Sequence, residues 1–338
     1  MTTPTTPPTP TTPSASTTGA PDLTARFGHH RLPNPVTTAS GCAGYGREIA
    51  RFLPLDALGA LITKTVMPYP RSGRPTPRMA ETPSGMLNGI GLQGSGIDAF
   101  VAHELPWLYE QGARTVVSIA GRDAGEYAQC AARLRGLPGV VGIEVNISCP
   151  NVADRGAVFA CNADASHAVV AAVREAADPA HPVYAKLSPD VTSVTDVAAA
   201  CVAAGADGLS LINTLLGVVV DTDTLRPALS GTTGGLSGPA IRPVAVRCVY
   251  QVYAAMRAGA FREVPICGTG GIRSGLDALE FLAAGASTVS VGTAVFNDPG
   301  APVRIVRELE QILTDRHIPS VEAVVGAAHR GGALVRQG

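Results

Sequence analysis

Eight short runs of β-branched and apolar residues, each separated from the next by an alanine-rich stretch with helical spacing, constrain this chain more than any other feature. The runs are VTTAS (36–40), ALITKT (60–65), TVVSIA (115–120), VVGIEVNIS (140–148), PVYAKLS (182–188), GLSLINT (208–214), VPICGTG (264–270) and STVSVGT (287–293). Between them, segments such as DASHAVVAAVREAA (164–177) and VTDVAAACVAAG (194–205) repeat apolar residues at three and four, the spacing of an amphipathic helix. Strand–helix alternation requires crossover connections and a parallel sheet. Eight is the number that closes such a sheet, so the expected fold is α/β, a (β/α)8 TIM barrel with extended loops at its C-terminal face. A doubly wound sheet ranks below it, because no G-x-G-x-x-G follows an early strand.

The chain has 338 residues, more than the roughly 250 of a typical barrel. Part of the excess is an N-terminal tail. Its first 21 residues hold nine Thr and six Pro and no charged side chain, which cannot bury enough surface to offset the entropy of ordering. Residues 1–22 are therefore expected to be disordered, and 23–338 to form a single domain. Two insertions account for the rest: Met67 to Asp98, rich in Pro, Gly and Arg, and about Leu216 to Ser237, polar and glycine-containing. Loops this long belong with the site at the C-terminal mouth of a barrel, where they are expected to cover the pocket.

Charge narrows the partners. With 26 basic against 27 acidic residues and a net charge of -1, the chain carries no electrostatic footprint for nucleic acid or an anionic membrane. It has no run near the roughly 20 apolar residues of a membrane span and no basic-then-apolar leader. A cytoplasmic protein with a small-molecule partner is expected. The seven cysteines are scattered without a C-x-x-C pair, so neither a disulfide framework nor a metal or iron–sulfur site is expected within the chain.

Side chains alternate in and out along a barrel strand. In the fourth run Ile143, Val145 and Ile147 face the helices, which turns Glu144, Asn146 and Ser148 inward. Barrel interiors normally hold bulky apolar groups, so polar residues near a strand's C-terminal end mark a site. Lys64, Lys186 and Asn213 fall at comparable positions. After the seventh and eighth runs, Gly270, Gly271, Gly292 and Thr293 stand where barrels hold a phosphate on bare backbone N–H groups. The segment N146-I-S-C-P-N151 places the thiol of Cys149 directly beyond a strand, between two carboxamides. A thiol with a reference pKa of about 8.5 serves there as nucleophile or general base.

These residues sit in segments that resemble class 1 dihydroorotate dehydrogenase, and more narrowly the catalytic subunit of its NAD-linked type. The resemblance rests on NISCPN together with ITKT (62–65), ETPSGMLNGIGLQ (81–93), KLSPDVT (186–192), INTLLG (212–217), GGLSGPAIRPVAVRCVYQV (234–252) and GTGGIRSG (268–275), in consistent order from about Thr37 to Thr293. It implies one FMN per chain and oxidation of dihydroorotate to orotate in pyrimidine (UMP) biosynthesis. Cys149 would be the base that removes the C5 proton while hydride leaves C6 for flavin N5. Lys64 would touch flavin and substrate. Asn88, Asn146, Asn151 and Asn213, with Thr214, would bind the pyrimidine and its carboxylate; a carboxamide offers the donors and acceptor such an edge needs. Lys186 would stabilise the charge arriving at flavin N1 and O2. Ser40 and Gly41 would back the flavin ring, Thr65, Asn146 and Gly238 would join its contacts, and Gly270, Gly271, Gly292 and Thr293 would hold its phosphate. Two departures stand out: Ser118 where the resemblance implies Asn, and a segment 152–161 poorer in glycine than the lid it would form.

The resemblance also implies partners. A homodimeric core would pass electrons to NAD through a second subunit carrying FAD and a [2Fe–2S] cluster, giving a heterotetramer. A thiol base, rather than a serine, separates the chain from the membrane-associated quinone-reducing class. The competing readings are the fumarate-linked class 1 enzyme, a dihydropyrimidine dehydrogenase-like flavin barrel, and a flavin-free phosphate-binding barrel.

Overall fold

The expected runs become eight parallel strands: β1 (Val36–Thr38), β2 (Leu61–Ile62), β3 (Thr115–Ile119), β4 (Val140–Asn146), β5 (Val183–Leu187), β6 (Gly208–Leu211), β7 (Ile266–Thr269) and β8 (Thr288–Val291). The structure is a computed structural model, and it describes residues 19–147 and 162–331. The strands pair in the order β1-β8-β7-β6-β5-β4-β3-β2. A parallel bridge between Thr37 and Ala60 joins the two ends, so the sheet closes into the expected (β/α)8 barrel. Around it lie α1 (Leu105–Glu110), α2 (Ala124–Arg133), α3 (Ala163–Ala176), α4 (Val194–Ala203), α5 (Arg242–Arg257), α6 (Gly275–Ala284) and α7 (Ala301–Asp315). Four of these start on a short polar cap: Asp123, Asn162, Ser193 and Ser274 each accept a backbone N–H of the first turn. Outward strand residues such as Ile143, Val145 and Val289 join the helix faces in one large apolar core.

The first connection departs from the alternation. Between β1 and β2 stand two short 3-10 turns, Ile49–Arg51 and Leu55–Ala57, instead of an α-helix. Gly41, Gly44 and Gly46 all adopt positive φ there, and Pro54 interrupts what remains, so no stretch is long enough to hold helical hydrogen bonding.

The bottom of the barrel is closed by a hairpin, Ala25–Phe27 with His30–Leu32. Phe27 lies flat on Tyr184 of β5, and Gly28 donates its N–H to the Tyr184 hydroxyl at 2.8 Å. Gly142 and Gly208 make room for the two rings: a Cβ at these positions would lie 2.8 Å from Phe27 and 2.2 Å from Tyr184. Asp22 pairs with the Pro319–Val321 backbone, so the last residue of the expected tail is tied to the body. Residues 1–18 lie outside the described ones.

The two insertions expected as loops carry strands of their own. Met79–Thr82 and Gly85–Asn88 from the first pair with Leu215–Gly217 and Gly234–Ser237 from the second, in one four-stranded antiparallel sheet. Both insertions leave from C-terminal strand ends, so this sheet stands at the barrel mouth. Among the described residues no helix is long and apolar enough to cross a membrane.

Candidate active site

Strand parity brings the polar residues together as expected. Glu144 and Asn146 of β4 and Lys186 of β5 are buried, 2%, 6% and 4% exposed, and meet inside the barrel. Lys186 Nζ lies 3.7 Å from Glu144 Oε1 and donates to Ser40 Oγ at 2.8 Å. Ser40 follows β1, so this bond spans the barrel mouth. Asn146 Nδ2 donates to Thr65 Oγ1 at 3.0 Å, and Thr65 shares a 3.0 Å hydrogen bond with Ser118 Oγ. Tyr127 on α2 donates to the Asn146 carbonyl at 2.8 Å and holds the end of β4 from outside. Ser118, the departure from the implied Asn, is therefore engaged with the threonine beside it.

Lys64 stands two residues beyond β2, with its N–H on the Gly44 carbonyl at 2.8 Å. Burial lowers its pKa, the Arg78 charge lowers it further, and Glu48 opposes both. Arg78 itself clamps the first insertion, donating to Gln93 Oε1 at 2.7 Å and to the Ser72 carbonyl at 2.9 Å. A cation held half-dry beside a second cation is disposed toward an anionic ligand.

Asn88 ends its strand and donates from Nδ2 to the Gly235 carbonyl at 3.2 Å. Asn213 follows β6, its N–H on the Leu187 carbonyl at 2.9 Å. Thr214 crowds Gly235, where a Cβ would sit 2.0 Å from Thr214 Oγ1. The antiparallel sheet thus gathers Asn88 and Thr214 from segments more than a hundred residues apart. Cys149 and Asn151 lie outside the described residues, as do Ser148 and the segment 152–161.

The glycine turns converge as expected. Gly238, Gly270 and Gly271 have φ of 94°, 136° and 76°. A Cβ on Gly271 would lie 2.8 Å from the Gly238 carbonyl oxygen and 2.9 Å from Arg242 Cβ. Thr293 donates to Ser237 Oγ at 2.8 Å, and Gly292 faces Ala39 and Cys42. Three loops therefore present side-chain-free backbone at one place, a surface that fits a phosphate. Gly41 adopts φ 95° with open space at its Cβ position, room for a flat ring beside Ser40.

Two neighbours, Ser237 and Cys42, carry no signal in the sequence, and a third, Glu144, is read there as inward-facing without a partner. Ser237 precedes a glycine that was singled out, and only the fold puts it on Thr293. Cys42 sits beside Gly292 with its thiol pushed up to about 11 by burial, against the pull of the Lys186 charge; it is a neutral thiol, unlike an activated one. Glu144 was turned inward by parity, yet nothing in the sequence assigned it a partner.

The sequence matches the family model described as dihydroorotate dehydrogenase over residues 22–313. Similar proteins include "dihydroorotate dehydrogenase B (NAD(+)), catalytic subunit" of Geobacter sp. (strain M21), 50% identical over 91% of this chain and 98% of that protein. The proteins of the same name from Geobacter sulfurreducens and Desulforudis audaxviator are 49% and 50% identical over 91% and 89% of this chain, and cover 98% and 95% of their own lengths.

Proposed function

The chain belongs to the dihydroorotate dehydrogenase family, and on that premise we propose that it oxidises (S)-dihydroorotate to orotate with FMN held at the barrel mouth. The convergence of Lys186, Ser40, Asn146 and the three glycine turns at one end of the barrel supports this most directly. Bound FMN supplies the acceptor for the hydride leaving C6 of the substrate. The chain does the remainder. Gly270, Gly271, Gly292 and Thr293 bind the phosphate through backbone N–H groups, with Gly238 against them. Ser40 and Gly41 back the ring, and Lys186, steadied by Ser40, offsets the negative charge that the ring receives. Thr65 orients Asn146, and Asn146, Asn88, Asn151 and Asn213 with Thr214 read the alternating N–H and C=O edge of the pyrimidine. Lys64 attracts its carboxylate. Cys149, as thiolate, takes the C5 proton.

Electrons then leave the chain. The relatives carry NAD(+) and "catalytic subunit" in their names, which supports a second subunit and NAD as the final acceptor; we propose further that the assembly is cytoplasmic, with a homodimer of this chain beside a subunit bearing FAD and [2Fe–2S].

Mixing the purified, FMN-loaded chain anaerobically with dihydroorotate tests the reading. The flavin absorbance should bleach, and dihydrouracil should not bleach it comparably. Cys149→Ala should keep the flavin and lose the bleaching, and Cys149→Ser should react only at elevated pH, because a hydroxyl ionises far less readily. Wild-type reduction by the alanine variant would remove Cys149 from the chemistry. NAD reduction by this chain alone, at the rate of the complex, would remove the partner.

A further inference from the structure

The ion pair below the barrel mouth is poorly built as a device for stability. Glu144 and Lys186 have side chains 3% and 5% exposed, so both charges are stripped of water. Their 3.7 Å separation exceeds the roughly 2.7–2.9 Å of a charge-assisted hydrogen bond. Glu144 Oε1 accepts no hydrogen bond among the described residues. A buried pair with incomplete hydrogen bonding recovers little of its desolvation cost, and an apolar pair would serve the fold as well. Among the described residues its strand neighbours are uncharged: Ser118 neighbours Glu144 across β3, Ser210 neighbours Lys186 across β6, and the Ser210 hydroxyl has no hydrogen-bond partner there. Among the described residues, Tyr184 neighbours Glu144 on β5, and the thiols of Cys42 and Cys267 feel the Lys186 and Glu144 charges; burial holds all three neutral.

We propose that Glu144 is a positioning residue that sets how strongly Lys186 favours reduced flavin. This rests on the assignment of Lys186 to the flavin ring. Lys186 Nζ is anchored at two points among the described residues: by a 2.8 Å hydrogen bond to Ser40 on the β1 side, and by the Glu144 charge on the β4 side. The first anchor fixes where the ammonium stands. The second offsets part of its charge from below, so the ring feels a weaker cation than a lone lysine would present. A carboxylate that kept a direct hydrogen bond would draw the ammonium down into the barrel; one that stands off leaves it at the mouth.

The test uses the FMN-bound protein and reads the flavin midpoint potential by equilibration with reference dyes. Glu144→Gln keeps the shape and removes the charge, so Lys186 acts uncompensated. The expected shift is about tenfold toward the reduced flavin, ~30 mV upward for a two-electron couple. In a Lys186→Met background the same substitution should move the potential less than about threefold, because no ammonium is left for the carboxylate to offset. Equal shifts in the two backgrounds would overturn the action through Lys186. An unmoved potential in Glu144→Gln, with Lys186→Met lowered, would overturn the proposal alone. An unmoved potential in Lys186→Met would overturn the flavin assignment of Lys186 and this proposal with it. Glu144→Asp, which keeps the charge but stands farther off, should shift the potential upward by less than Gln. If Gln fails to fold and Asp leaves the potential at the wild-type value, Glu144 serves the fold alone and the proposal is wrong.

Discussion

Asn146 Nδ2 donates to Thr65 Oγ1 at 3.0 Å, tying the last residue of β4 to a threonine beyond the end of β2. Both are buried, so the carboxamide's orientation depends on an acceptor that water cannot replace. Thr65→Val removes that acceptor from a buried amide, at a cost of about 1–3 kcal/mol. If the carboxamide reads the substrate, kcat/KM for dihydroorotate should fall by roughly ten- to a hundredfold, while Thr65→Ser stays near the wild type. Stopped-flow flavin reduction against substrate concentration measures both, and equal values for Val and Ser would detach Thr65 from substrate recognition.

Gly271 has φ 76° and no room for a Cβ beside the Gly238 carbonyl oxygen and Arg242. Gly271→Ala should open the cradle and weaken FMN binding by at least about tenfold, given strain of about 1–3 kcal/mol. Gly259 is the control, with φ 78° but open space around it. Gly259→Ala should cost about 1 kcal/mol of stability and bind FMN normally. Flavin fluorescence titration of the two apoproteins separates a local backbone penalty from a lost phosphate site.

Phe27 stacks on Tyr184 with ring centroids 4.1 Å apart and planes 5° from parallel. Phe27→Ala leaves a hole at the barrel bottom and should destabilise by about 3–5 kcal/mol. The N-terminal face of a barrel serves stability and its mouth serves chemistry. The melting temperature should therefore drop while the flavin spectrum and KM hold; a changed KM would mean that the plug is coupled to the site.

His181 is 6% exposed, and its Nδ1 has no hydrogen-bond partner among the described residues. Burial lowers its pKa from 6.5; Asp178 opposes this, while His30, Arg174 and His29 add to it. The unfolded chain therefore binds the proton more tightly than the folded one. Stability rises with pH between the folded-state value and 6.5, and is lost as pH falls through that window. Thermal melts from pH 8 to 5 should show this loss, and His181→Gln should reduce it. An identical slope in the variant would assign the acid sensitivity elsewhere.

Much of this was legible locally. Barrel strands announce themselves because β-branched runs bounded by glycine and alanine stretches need no distant information. Period-two alternation turned Glu144 and Asn146 inward before any contact was known. Gly270 and Gly271 of GTGGIRSG follow a strand end, and their positive φ and crowded Cβ positions require bare backbone there, whereas Gly292 of VGT has φ -111°. The helix expected between β1 and β2 was not formed, because three positive-φ glycines and a proline outweigh the alternation around them.

By itself the sequence determined the strand count, the inward face of β4, the glycine turns and the family. Those depend on backbone stereochemistry and hydrophobic period, which act over a few residues. Tertiary structure alone decided that Lys186 meets Ser40 146 positions away, that two insertions zip into one sheet through Asn88 and Gly235, and that Phe27 finds Tyr184. These pairings follow from barrel closure, which sets neighbours by shear and strand order rather than by distance along the chain. The 3.7 Å gap between Glu144 and Lys186 is of the same kind: both residue types were visible in the sequence, but their separation exists only once the barrel has closed.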